Sequence, residues 1–161
     1  MNAIDADRPP IVVEVLLLSA AEKALRYRKV RKTLPAHEEP DTVAWRACRP
    51  RRDNPFLLHS TSWRYDRGRV VLTYVALPDP RPASRTLPIP TDIAEAWNSV
   101  RPSPRPSSDQ VAAHACRHLA FLARTDDAVA GALGRHSHLR RLILQHVPDV
   151  AGQRPVNGDA S

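Results

Sequence analysis

The chain of 161 residues contains few of the residue types on which several familiar protein classes depend. Its two cysteines, Cys48 and Cys116, are too few for a disulfide-rich secreted domain, so we expect two free thiols in a reducing compartment. Its five glycines leave little material for a phosphate-cradling loop, and the signatures G-x-x-x-x-G-K-S/T, G-x-G-x-x-G and G-x-S-x-G are absent. P-loop, Rossmann and α/β-hydrolase chemistry are therefore disfavoured.

Long apolar runs are also missing, since no stretch approaches the roughly 20 residues that are needed to span a bilayer. The apolar segment at 11–18 is interrupted by Glu14, and two prolines precede it. Asp5 and Asp7 stand where a signal peptide would carry basic residues. We therefore expect this segment to be the first strand of a soluble cytoplasmic protein that has no membrane contact.

Positive charge dominates the composition, with 24 Lys and Arg against 17 Asp and Glu and a formal net charge of +7. Only three of these cations are lysines, so arginine carries nearly all of the positive charge. Arginine offers a rigid bidentate fork for phosphate or carboxylate, which indicates an anionic small molecule or an acidic protein partner. The arginines are dispersed along the chain and match no nucleic-acid-binding motif, so a nucleic-acid partner is disfavoured, although it stays open.

The first third of the chain predicts a strand, a helix and a loop. Residues 11–18 fit a largely buried strand, and Ser19 followed by Glu22 has the spacing of a capping box that would start a helix over 20–32. The alternative is a long strand through 25–30, where apolar and basic residues alternate. The proline-rich stretch 35–55 predicts a loop with one short ordered piece around Val43, and its most basic part, 49–52, has no assigned role.

The clearest local signal is a β-hairpin. Two strand-like runs, 56–65 and 69–77, flank Asp66-Arg67-Gly68, where the glycine can adopt the left-handed backbone of a short turn. A period of two places His59, Thr61, Trp63 and Tyr65 on one face of the first strand. The second strand is apolar on both faces, which indicates an internal position in the sheet.

The remainder of the chain predicts helices. A short helix from Thr91 through Trp97 lies between two proline-rich connectors, a long helix runs over 108–124, another ends near Gly134, and a last one stops before Pro148. We expect an α+β fold, with an antiparallel sheet built on a central hairpin and covered by the C-terminal helices. One domain should cover 11–150, with a strand-containing part at 11–100, a helical tail at 108–147, and flexible ends at 1–10 and 151–161.

A histidine pair is the candidate metal site. His114 and His118 are four residues apart in the predicted long helix, so both rings project from one face. Ala115 occupies the position of the glutamate base in the metalloprotease motif H-E-x-x-H, which excludes that reaction. We expect His118 to be a core histidine and the protein to need no cofactor, with a zinc ion at this pair as the alternative.

The hairpin supplies a candidate ligand site. It combines an imidazole, hydroxyls, aromatic rings and an arginine, so the rings could stack on a ligand and the arginine could bind phosphate. Together with His118 of the helix, the candidate ligand-binding residues are His59, Thr61, Trp63, Arg64 and Tyr74. The alternative is purely structural, with cross-strand packing and a ladder of hydroxyls.

The segment 58–80, with H-S-T-S-W-R-Y at 59–65 and V-V-L-T-Y-V-A-L at 70–77, resembles the sheet of Nudix-like domains over about one-seventh of the chain. The glutamate-rich helix with which Nudix hydrolases bind magnesium has no counterpart, because the segment 20–32 is basic and contains only Glu22. The resemblance therefore implies the fold without the hydrolase chemistry.

These patterns favour binding over catalysis. We expect a non-catalytic, Nudix-like module that binds an anionic small molecule or a protein partner through arginines near the hairpin and His118. The alternatives are an atypical phosphate-ester or nucleotide hydrolase around His59, His114 and His118, and a basic protein associated with nucleic acid, whose binding would weaken steeply with salt. The sequence leaves the oligomeric state open.

Overall fold

A computed structural model describes residues 8–82, 86–91 and 105–146 of the chain. The strands are β1 (Ile11–Ala21), β2 (Ala24–Thr33), β3 (Leu57–Asp66), β4 (Arg69–Leu77) and the two-residue β5 (Leu87–Pro88). The helices are α1 (Pro40–Cys48), α2 (Ser108–Thr125), α3 (Asp127–Gly134) and α4 (Ser137–Ile143). The helix predicted over 91–97 lies outside the described residues except for Thr91. The last helix, which was predicted to stop before Pro148, ends at Ile143, and residues 144 and 145 form a turn.

The five strands form one mixed sheet in the order β3-β4-β1-β2-β5. The α+β class is confirmed, but the expectation of an antiparallel sheet is wrong at its centre, where β1 and β4 run parallel. The β3–β4 hairpin lies to one side of β1, with β4 inside the sheet and β3 at its edge. The chain crosses one face of the sheet through α1 between β2 and β3, and this crossover allows β4 to return in the direction of β1.

Residues 20–32, predicted as a helix, are instead the end of β1, a two-residue turn and most of β2. Glu22, the residue expected to close a capping box, lies in the turn with a φ of 53°. Leu25 and Tyr27 bury their side chains against the helices, while β2 pairs with β1 along its whole length. The alternating pattern at 25–30 therefore indicated the structure better than the local capping signal, because strand pairing outweighs helix propensity.

The hairpin prediction is confirmed, and its turn consists of Arg67 and Gly68 with φ values of 49° and 76°. A β-bulge between Ser60 and Ser62 corrects the predicted faces of β3. His59 lies opposite Val75, whereas Trp63 lies opposite Leu72, whose side chain points to the other face of β4. The extra residue at the bulge shifts the alternation by one position, so His59 and Trp63 lie on opposite faces of the sheet.

Each face of the sheet has its own apolar cluster. The helix-covered face carries Leu16 and Leu18 of β1 and packs against α2, α3 and α4. The groove face carries Val15 and Leu17 of β1 and packs against α1, which lies in a stretch predicted to be mainly loop. β1 is therefore buried on both sides, as its apolar run predicted.

The C-terminal helices begin at residues that cap them. Ser107 and Gln110 form a capping box at the start of α2, and Asp126 accepts a hydrogen bond from the backbone of Val129 in α3. The predicted sequence of three helices is confirmed for the described residues. Within the described part of the chain, no helix has both the length and the apolar character to cross a membrane.

Candidate functional site

A groove of about 670 Å³ opens between β2 and α1 on the groove face, and we call it the basic groove. Its volume falls within the roughly 300–1,000 Å³ that is usual for small-molecule sites. Its walls come from the second half of β2, from α1 and its flanks, and from the chain that follows β4. The lining residues are Arg28, Val30, Lys32, Thr33, Pro35, Glu38, Val43, Arg46, Ala47, Arg49 and Arg81.

The β2 wall follows from strand periodicity. Arg28, Val30 and Lys32 are two residues apart, so their side chains share the face that α1 packs against. The Arg28 guanidinium donates two hydrogen bonds to the Asp79 carboxylate, at 2.9 and 2.7 Å. The Asp79 side chain is fully buried and also accepts a hydrogen bond of 3.0 Å from the backbone N–H of Arg81. Asp79 thus holds Arg28 in place and positions the segment that carries Arg81.

The α1 wall combines apolar and basic side chains. Val43 and Ala47 are four residues apart on the helix, which places them on one side towards the groove. Arg46 forms an ion pair with Glu38, the only carboxylate among the lining residues that the structure describes. Arg49 follows the helix as its C-cap with a φ of 50°, a left-handed conformation in which glycine is favoured.

The charge of the basic groove is strongly positive. Five of its eleven lining residues are cations. Lys32, Arg49 and Arg81 make no ion pair with any residue that the structure describes, and all three are exposed. Between these cations lie the apolar side chains of Val30, Val43 and Ala47. The arrangement can accept an anion that also has an apolar body.

Two of the predicted site residues, His59 and His118, do come together. Their ring centroids are 5.5 Å apart on the helix-covered face, where α2 packs against β3. Burial lowers the pKa of His59, so the neutral ring is favoured. His118 is 8% exposed, as expected of a core histidine.

The other predicted ligand-binding residues do not converge on this pair. Thr61 is buried and donates its hydroxyl to the carbonyl of Thr73 at 3.2 Å. Tyr74 lies on the opposite face and donates a hydrogen bond of 2.5 Å to Asp41 of α1, and burial raises its pKa. Trp63 is also on that face and is 71% exposed. The bulge and the alternation of the strands therefore divide the predicted ligand site between the two faces.

Arg64, the predicted phosphate ligand, belongs to a buried ion-pair network. Its guanidinium donates to both carboxylate oxygens of Glu14, at 2.9 and 3.1 Å, and to the hydroxyl of Thr73 at 2.8 Å. Arg31 of β2 donates to the same carboxylate at 2.6 Å from the other side. Glu14 is 1% exposed, so these arginines neutralise a carboxylate in the centre of the sheet.

The candidate metal site is the His114 and His118 pair of α2. His114 is half-buried and His118 is buried. The described residues contain no group of three or more His, Cys, Asp and Glu side chains that could hold a metal ion. Cys116, between the two histidines, is fully buried, and burial raises the pKa of its thiol to about 12. A neutral thiol is a poor metal ligand.

The residues that line the basic groove were not among the predicted ligand residues. Arg28 and Lys32 lay in the segment 20–32 that was predicted as a helix, and Arg49 lay in a basic loop with no assigned role. The alternation of basic and apolar residues at 28–32 contained the signal, because on a strand it creates a basic row beside an apolar residue. The contribution of Arg46 depends on a helix that composition did not indicate.

Comparison of the chain with protein-family models, with curated proteins and with solved structures found no match. The function of the basic groove is therefore inferred from its own geometry and charge.

Proposed function

We propose that this protein is a non-catalytic binding module for an anionic small molecule, which it holds in the basic groove between β2 and α1. The observation that carries the proposal is the set of exposed cations, Lys32, Arg49 and Arg81, which have no ion-pair partner among the described residues and surround an apolar floor. Arginine forks bind phosphate or carboxylate in a bidentate manner, so the ligand carries at least one such group.

The conformation of Arg49 supports a role for its side chain. Its backbone is left-handed and it precedes a proline, a combination that is unfavourable for any residue with a Cβ. Glycine is the usual residue at such a helix C-cap, and the difference is on the order of 1 kcal/mol. An arginine that lines a groove at this position is consistent with a ligand that needs its charge.

The chemistry of the lining supports binding over hydrolysis. The described lining residues include no histidine, cysteine or serine, and the one hydroxyl among them, that of Thr33, has no histidine in the described lining to act as its base. Glu38 is already paired with Arg46. The described part of the lining also has no aromatic rings on which bases of single-stranded nucleic acid would stack, which favours a small anion.

The experiment uses 1-naphthyl phosphate as a probe, since it joins a dianionic head to an apolar ring. Titration calorimetry should show saturable binding that is tighter than that of inorganic phosphate and stronger than that of uncharged 1-naphthol. The double variant Arg49→Ala/Arg81→Ala should weaken binding by about tenfold or more, because each charge-assisted hydrogen bond contributes roughly 1.5–3 kcal/mol. Arg135→Ala, at an exposed arginine after α3, is the matched control and should bind normally.

Two results would contradict the proposal. Unchanged affinity in the double variant would show that the ligand does not bind in the basic groove. Ligand-induced amide shifts in NMR spectra that cluster near His59 and His118 would show that it binds on the helix-covered face instead. The same probe tests the alternative of a phosphate-ester hydrolase, because hydrolysis releases fluorescent 1-naphthol. The Nudix-like interpretation of residues 58–80 and the cytoplasmic location stay predictions that this experiment does not need.

A further inference from the structure

The outer edge of β2 is only partly covered. β5 pairs with Arg26 and Tyr27, and the backbone N–H of Ile89 donates to the carbonyl of Leu25 at 2.9 Å. Beyond Tyr27, no described residue pairs with this edge as far as Thr33. The sheet therefore already accepts a short extended segment at one end of β2 and leaves about six residues open at the other.

The open edge presents backbone groups in a defined pattern. The carbonyl of Leu25 faces outward to Ile89, and in an antiparallel ladder every second residue faces the same way. Lys29 and Arg31 accordingly direct their N–H and C=O groups outward, away from β1. An incoming strand can form backbone hydrogen bonds with these two residues.

The side chains of the open edge are basic on both faces. Arg28 and Lys32 belong to the groove face, and Lys29 and Arg31 to the helix-covered face. A second groove of about 280 Å³ extends from the end of β2 across β1 to the β3–β4 turn, and its lining includes Arg31, Lys32, Arg67 and Arg69 together with one carboxylate, Asp66. Lys32 and Thr33 line both grooves, so a strand placed along this edge would end beside basic surfaces.

We propose that the open edge of β2, from Arg28 to Thr33, binds an extended acidic segment of a partner protein as an added strand. Side chains opposite Arg28 and Lys32 would contact one face, and those opposite Lys29 and Arg31 the other. Carboxylates suit the positions opposite Lys29 and Lys32, which make no ion pair with any described residue, whereas Arg28 and Arg31 already bind Asp79 and Glu14. A β-branched apolar residue suits the position opposite Val30. In an antiparallel partner strand the motif is therefore acid-x-apolar-acid, read from the position opposite Lys32 to the position opposite Lys29.

The same charges select against a second copy of this chain. Two β2 edges paired with each other would place basic side chains opposite basic side chains, which is destabilising. Basic residues on an exposed strand are a common device against edge-to-edge aggregation. Here they leave an acidic strand as the partner that satisfies both the outward backbone groups and the charges of Lys29 and Lys32.

The test uses a fluorescein-labelled heptapeptide, Thr-Glu-Glu-Val-Glu-Glu-Thr, whose core reads the same in both directions. Fluorescence anisotropy should show saturable binding to the full-length protein. Replacing every Glu by Gln should weaken binding strongly. N-methylation of the two Glu residues beside Val should also abolish it, because these residues would lie opposite Lys29 and Arg31 and donate to the edge. Equal binding of the N-methylated peptide would overturn strand addition, and no binding of the parent peptide would overturn the proposal altogether.

Variants separate this proposal from the small-anion function. Lys29→Glu/Lys32→Glu should weaken peptide binding by about tenfold or more, since two charge-assisted contacts become repulsive. Arg135→Glu/Arg140→Glu is the matched control, at exposed arginines after α3 and in α4, and should bind the peptide normally. Lys29 does not line the basic groove, so Lys29→Glu alone should weaken the peptide and spare 1-naphthyl phosphate. If the wild-type protein bound the peptide but did not bind 1-naphthyl phosphate, only the small-anion function would be contradicted.

Discussion

The two faces of the sheet differ in how completely their arginines are paired. On the helix-covered face, Arg31 and Arg64 neutralise the buried carboxylate of Glu14. On the groove face, Arg28 likewise binds the buried Asp79, but Arg49 and Arg81 are exposed and make no ion pair with any described residue. The difference shows that basic residues in one sequence can have two roles. One set of cations stabilises the fold, and the other set is available to a ligand.

The largest effect should come from Glu14. Glu14→Ala would leave the guanidinium of Arg64, whose side chain is 17% exposed, without its carboxylate partner, and would also release Arg31. Breaking a fully buried pair from one side costs about 3–5 kcal/mol, and partial exposure of Arg31 reduces this to about 2–4 kcal/mol. Urea denaturation should report the loss as a lower midpoint with an unchanged slope.

The matched carboxylate is Glu38 on the groove face. Its ion pair with Arg46 is solvent-exposed, with 63% of the Arg46 side chain accessible. Glu38→Ala should change the free energy of unfolding by no more than about 1 kcal/mol, as is usual for surface pairs. If both substitutions had the same effect on stability, the contrast between the two faces would be lost.

A smaller effect should appear as a dependence of stability on pH. Burial lowers the pKa of His59 and of His146, and the charge of Arg117 lowers that of His146 further. The unfolded chain therefore binds protons at a higher pH than the folded chain. The contribution of both neutral rings is complete above the unfolded pKa of about 6.5 and is lost as the pH falls towards their folded values.

Urea midpoints at pH 7.5 and pH 5.0 test this dependence. The wild-type protein should be less stable at pH 5.0, and the double variant His59→Gln/His146→Gln should show a smaller difference between the two conditions. His37 is exposed, so His37→Gln should leave the difference unchanged. A difference of full size in the double variant would assign the pH dependence to other groups.

The sequence predicted local structure well where the strand pairing in the fold agreed with the periodicity of apolar residues. The hairpin turn at Arg67 and Gly68, the internal position of β4 and the helix α2 were all predictable, because each depends on neighbouring residues. The second strand was misjudged because the capping pattern at Ser19 and Glu22 is as compatible with a tight turn as with a helix start. Pairing of β2 with β1 is a tertiary interaction, and it makes this segment a strand.

The candidate site was less predictable than the fold. The basic groove joins residues from β2, from α1 and from the segment after β4, which are up to 53 positions apart from Arg28 to Arg81. Their proximity depends on the parallel pairing of β1 with β4, which no local pattern indicates. Likewise, the single extra residue in the bulge of β3 separated His59 from Trp63, and nothing in the hydroxyl-rich segment specifies its position.

The smallest effect, and the sharpest contrast, concerns Arg49. Arg49→Gly should raise the free energy of unfolding by about 0.5–1 kcal/mol, because glycine adopts the left-handed C-cap conformation without steric cost. The same substitution should weaken binding of 1-naphthyl phosphate, since it removes an exposed guanidinium from the basic groove. Arg67→Gly is the matched control, as Arg67 has a φ of 49° in the β3–β4 turn and does not line that groove. Arg67→Gly should stabilise the protein to a similar extent and leave binding of 1-naphthyl phosphate unchanged. A loss of stability in Arg49→Gly would instead show that Arg49 is one of the arginines that stabilise the fold.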